Sequence, residues 1–102
     1  MDPSITQRRR EIAELCRRYR VRRLELFGSA VGNYFDADRS DVDFLVDFEP
    51  LAAGEHADAY FGLLESLGAL LARPIDLVMA GAIRNRFFLQ AIEPTRTLLY
   101  AA

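Results

Sequence analysis

Residues 41–49, DVDFLVDFE, alternate so strictly that they read as one strand with two unlike faces. Val42, Phe44, Val46 and Phe48 share one side, and Asp41, Asp43, Leu45, Asp47 and Glu49 share the other. The first side must be buried against a core. On the second, two aspartates at i and i+2 stand next to each other, and like charges that close drive one another toward protonation unless a cation lies between them. A divalent metal is the simplest remedy. With no His or Cys nearby, an oxygen-only set favours a hard ion such as Mg²⁺, held by one or two carboxylates with phosphate oxygens completing its shell.

Upstream, the apolar strand expected over 21 to 27 runs into Gly28-Ser29. Without a Cβ, Gly28 lets backbone N–H groups approach an anion at the start of a short helix expected over 29 to 34, and the Ser29 hydroxyl can donate as well. A phosphate hook followed by a metal clasp describes a nucleoside triphosphate site. Blander readings exist for each part: Gly-Ser at a strand end is an ordinary turn, and exposed strand faces often carry carboxylates. A calcium loop is the sharper rival, since Asp36, Asp38 and Ser40 fall at its first, third and fifth places. Its sixth and twelfth places require Gly and Glu, however, and here they hold Asp41 and Asp47.

A third strand is expected over 75 to 79, after Arg73-Pro74 stops the preceding helix. Ile75, Leu77 and Met79 share one face, and Asp76 shares the other with Val78. If this strand lies beside 42 to 48 with core faces aligned, Asp76 emerges on the side of Asp41 and Asp43, where a third metal ligand is required.

The segment FGSAVGNYFDADRSDVDFLVDF resembles the signature of the polymerase beta-type nucleotidyltransferase superfamily. It is most similar to the minimal nucleotidyltransferases, stand-alone domains often paired with a HEPN-domain protein in prokaryotic toxin–antitoxin operons. RPIDLV resembles the strand carrying that family's third carboxylate, and IRNR and TRTLLYAA resemble its closing segments, so the likeness covers nearly the whole chain. The resemblance implies that Gly28 and Ser29 hold the triphosphate and that Asp41, Asp43 and Asp76 bind two Mg²⁺ ions. Many members have a basic residue and then Gly after the GS, whereas Ala30, Val31 and Gly32 follow here; Arg39 is the substitute contact, and Ser40 is grouped with it among the nucleotide-binding residues. The implied reaction transfers AMP from ATP to a hydroxyl of a HEPN-type toxin, with this chain as antitoxin. Two other readings stay open: a catalytically idle module that covers its partner's surface, and nucleotidyl transfer to a small molecule or RNA.

With 102 residues, 51% of them hydrophobic, the chain is expected to form one nucleotidyltransferase domain over 1–102. No apolar run approaches the roughly eighteen residues of a membrane span, and the charged N-terminus has no signal-peptide core, so a cytoplasmic protein is expected. A net charge of −2 argues against stable nonspecific nucleic-acid binding. Eight of the thirteen basic residues, all Arg, nevertheless precede residue 24, as a solvated face or a docking surface for an acidic partner or RNA. The lone Cys16 falls on a helix stripe as a buried thiol, and His56 falls in an expected loop.

Helices are expected over 4 to 19 (capped by Ser4 or Thr6), over 59 to 72 (capped by Asp58, with Tyr60, Phe61, Leu64, Leu67 and Leu71 inward) and over 82 to 93. LLY near the end is either an edge strand or a tail. The expected architecture is α/β (α+β): a two-layer nucleotidyltransferase fold whose three-stranded mixed sheet carries helices on one face and carboxylates on the other.

Overall fold

The computed structural model describes residues 1–31 and 41–102. Its elements run α1 (Pro3–Gln7), α2 (Arg9–Arg18), β1 (Val21–Phe27), a 3₁₀ turn (Gly28–Val31), β2 (Val42–Phe48), α3 (Ala53–Leu71), β3 (Ile75–Met79), α4 (Arg86–Ile92) and β4 (Thr97–Ala101). The sheet order is β3-β2-β1-β4, with β1 antiparallel to both β2 and β4 and β2 parallel to β3. The α/β class and the mixed sheet match the sequence expectation; the sheet has four strands rather than three. Thr97–Ala101 makes the difference: it pairs antiparallel with the free edge of β1, which is the edge-strand alternative for LLY rather than the tail.

The first three strands lie where alternation and proline placed them. In β1 the register slips between Val21 and Arg23, so Val21, Leu24 and Leu26 all turn inward despite their uneven spacing. Those side chains, with Val42, Phe44, Val46, Phe48 and Leu77, pack against Ile5, Ile12 and Cys16 of α1 and α2 and Leu63, Leu67 and Leu71 of α3. Burying each large aliphatic or aromatic side chain contributes roughly 1.5–3 kcal/mol. In that layer Cys16 is fully buried and its thiol is pushed up to about 12, which makes it inert.

The helix boundaries differ from expectation for identifiable reasons. The first helix breaks at Arg8, which leaves the helical region at φ −102°, ψ 11°. Asp2 pins the first turn, its Oδ2 accepting from Arg73 Nη1 at 2.6 Å and from Ser4 Oγ at 2.5 Å, so the turn follows the α3–β3 connection. Ser4 and Thr6 therefore sit inside α1 instead of capping it. α3 begins at Ala53, absorbing the expected loop together with Asp58 and His56, whose ring meets Phe48 edge-on at 5.4 Å. Its buried stripe is Ala59, Leu63, Leu67 and Leu71, and Phe61 is 61% exposed. The last helix starts only at Arg86, where Asn85 Oδ1 accepts from the Phe87 N–H at 2.9 Å.

The second sheet face is not bare. Leu45 sits among the aspartates of β2 with Phe27 and Val78 on the flanking strands, and α4 covers this row through Ile92 and Leu89. Helices therefore pack on both faces rather than one. Of the helix expected over 29 to 34, the structure shows a 3₁₀ turn over Gly28–Val31, and the remainder lies outside the described residues.

Candidate active site

β1 ends at Phe27, directly opposite Asp43 of β2. The chain then turns at Gly28 with φ +78°, a conformation that L side chains rarely adopt. A Cβ built on Gly28 would lie 2.5 Å from Asp43 Oδ2, so glycine is required for the close approach of the carboxylate as well as for the backbone angle. Its N–H does not point to open space. It donates to Thr95 Oγ1 at 3.0 Å, and the Thr95 hydroxyl donates in turn to the Ile92 carbonyl at 2.9 Å. Ser29 is the second residue of the 3₁₀ turn. Arg39 and Ser40, the other expected nucleotide contacts, lie outside the described residues.

Parallel pairing of β2 with β3 sets Asp43 directly beside Asp76. The Asp76 side chain interacts with that of Asp43 and helps to raise its carboxyl. Burial pushes the Asp43 carboxyl above its ordinary range, and the charges of Asp76 and Asp41 add to the effect. Asp41 is exposed on the residue just before β2, and Asp76 is exposed on β3. The three acids therefore occupy one end of the carboxylate-bearing face, with Asp43 and Asp76 in contact and Asp41 beside them. Among the described residues no three His, Cys, Asp or Glu side chains are already gathered as a metal cage. The Asp43–Asp76 contact nevertheless fits a hard cation chemically: its donors are all carboxylate oxygens, and their mutual repulsion is relieved by either a shared proton or a positive ion.

Two other acids on this face are neutralised by arginines. Asp47 Oδ2 accepts from Arg22 Nη2 at 2.6 Å. Glu25, on β1 and 4% exposed, accepts from Arg96 at 2.7 and 2.9 Å and from Arg23 at 2.8 Å. Arg96 holds the Glu25 carboxyl below its usual range against the opposing effect of burial. Sequence reading missed Thr95 and Arg96 because their partners lie 67 and 71 residues away, and no local pattern marks either. His56 takes no part, being held against Phe48 on the core face.

The family model for the nucleotidyltransferase domain matches residues 9–98. The chain belongs to that family, and it is a nucleotidyltransferase. It is 40% identical over 72 residues to the protein adenylyltransferase MntA of Thermococcus cleftensis, an alignment spanning 71% of this chain and 69% of that one. A solved protein assigned to the minimal nucleotidyltransferases superposes with a TM-score of 0.75 at 28% identity, covering 95% of each chain. The complex of a tri-AMPylated Shewanella oneidensis HEPN toxin with MNT antitoxin gives a TM-score of 0.64 at 20% identity, covering 95% of this chain and 72% of the matched one, a likeness of fold. No helix among the described residues is long and apolar enough to cross a membrane.

Proposed function

We propose that this nucleotidyltransferase moves AMP from ATP onto a hydroxyl side chain of a HEPN-type toxin and so serves as that toxin's antitoxin. The observation that carries the reading is the abutment of the Gly28 turn and the Asp43–Asp76 pair, which supports a phosphate-holding turn next to carboxylates that can share a cation. The MntA relative and the tri-AMPylated toxin complex supply the class of acceptor.

In this mechanism the turn beginning at Gly28, with Ser29, holds the β- and γ-phosphates, and Arg39 and Ser40 contribute on the approach to β2. Asp41, Asp43 and Asp76 would hold two Mg²⁺ ions. When bound, Mg²⁺ neutralises the charge that develops on the transferring phosphoryl group and the departing pyrophosphate. The acceptor oxygen forms its bond to the α-phosphorus as the bond to the pyrophosphate oxygen breaks. Asp76, the exposed member of the Asp43–Asp76 contact, takes the hydroxyl proton. Since the substrate is ATP, the reading places the chain in the cytoplasm.

Incubation of the purified chain with its operon partner, Mg²⁺ and α-labelled ATP tests the reading. One or more AMP units should appear on the partner, and the double variant Asp41→Asn/Asp43→Asn should transfer at least about 10²-fold more slowly. Full transfer by that variant, or an unmodified partner with the wild-type chain, would overturn it.

A further inference from the structure

We infer that Thr95 is a positioning residue for the nucleotide-holding turn, fixed in place by the Arg96–Glu25 ion pair; this rests on the proposed use of the Gly28 turn to hold triphosphate. The Thr95 hydroxyl has its own proton committed to the Ile92 carbonyl at 2.9 Å, which leaves an oxygen lone pair for the Gly28 N–H at 3.0 Å. The direction of both hydrogen bonds is thereby set. Thr95 also accepts at its carbonyl from Thr97 Oγ1 at 3.1 Å, so both its backbone and its side chain are tied.

The adjacent residue supplies the anchor. Arg96 grips both Glu25 oxygens, with Nε to Oε2 at 2.7 Å and Nη2 to Oε1 at 2.9 Å, and its Nη1 donates to Glu93 at 3.1 Å. Glu25 lies on β1, three residues before Gly28, so the short 3₁₀ segment Glu93–Thr95 is fastened to β1 at the strand interior and again at the turn. The backbone at Gly28 cannot rotate without giving up the hydrogen bond to Thr95, and rotation there changes how closely the turn approaches Asp43. A consequence follows for recognition: the Gly28 N–H is already spent, so the donors that meet phosphate belong to residues after Gly28.

The discriminating variant is Thr95→Val, which keeps the shape and removes the acceptor, compared with Thr95→Ser, which restores it. The expected results for Thr95→Val are a rise of about tenfold in KM for ATP with kcat changed much less, and about tenfold faster hydrogen exchange at the Gly28 amide, seen by ¹⁵N NMR of the nucleotide-free protein. Thr95→Ser should recover both. The inference is overturned if Thr95→Val leaves the Gly28 amide unchanged, if Thr95→Ser is as impaired as Thr95→Val, or if the amides of Leu24 and Leu67 lose protection together with Gly28, which would mark a merely structural role. The amide measurement needs no acceptor, so a failure of AMP transfer by the wild-type chain would count against the proposed function and leave the test of Thr95 standing.

Discussion

Glu25 and Asp43 sit on the same face of one sheet, on neighbouring strands, yet the fold treats them in opposite ways. Glu25 is almost fully buried and is gripped by two guanidiniums, which hold its carboxyl low and its charge neutralised. Asp43 is half-buried, faces Asp76, has Asp41 close by, and is pushed up. Burial penalises both anions, so the difference lies in the partners. A structural carboxylate is given its cation by the chain itself; on the function proposed above, a carboxylate left facing others of its kind takes one from solution. Asp47, paired with Arg22, belongs with Glu25. The face thus carries several acids, and only the end nearest Gly28 lacks a protein cation among the contacts described.

The contrast is broken most directly by adding a cation. If the Asp43 end is a binding site, Mg²⁺ at about a hundred times its Kd should stabilise the chain by about 2.7 kcal/mol, read as a rise in midpoint by thermal or denaturant unfolding. The double variant Asp43→Asn/Asp76→Asn should show no such rise. An equal rise in that variant would place the ion elsewhere and remove the distinction between the two ends of the face.

Removing the carboxylate at the other end should act on the fold. Glu25→Gln leaves Arg96 without its strong partner next to a buried amide, and because both arginines reach solvent the expected loss is about 2 kcal/mol, below the range for fully buried pairs. The pH dependence follows from the lowered carboxyl. Its contribution is present above the ordinary carboxylate pKa of about 4 and is lost as pH falls through the lower folded value, so the gap between wild type and Glu25→Gln should close in acid. A gap that widened toward low pH would contradict the pairing.

This asymmetry was only half legible in the sequence. The strict alternation of DVDFLVDFE and the proline before IDLVM located β2 and β3 and turned Asp43 and Asp76 to one side, because strand parity is a local property. The turn at Gly28 was readable from the glycine that closes the strand, but its positive φ and its close approach to Asp43 were not. What makes Glu25 structural was not readable, since Arg96 and Thr95 reach β1 from a segment with no pattern of its own. The exposure of Phe61 was likewise hidden, because Phe61 and Leu63 are both large and apolar and the sheet decides which of them turns inward. α3 began early for a related reason: Asp58 is a good cap, but the alanines before it continue a helix readily once Glu55 can pair with Arg20.

The smallest expected effect is the most specific. In the metal-free chain Asp43→Asn removes a charge that its neighbours oppose, so at pH 7 it should stabilise the fold by less than about 1 kcal/mol, the range of a cross-strand charge pair. The sign follows from the raised carboxyl: stability is intact while Asp43 is protonated, below its ordinary unfolded value, and declines as pH rises through the higher folded one. The advantage of the asparagine variant should therefore be present at neutral pH and vanish in acid, whereas Glu25→Gln is a penalty over the same range. Denaturant unfolding of the two variants across pH, in chelator, reads both curves at once. Opposite signs at pH 7 that converge in acid would fix one carboxylate as part of the scaffold and the other as a site held at the expense of the fold; curves of the same sign would show that the two ends of the face are electrostatically alike.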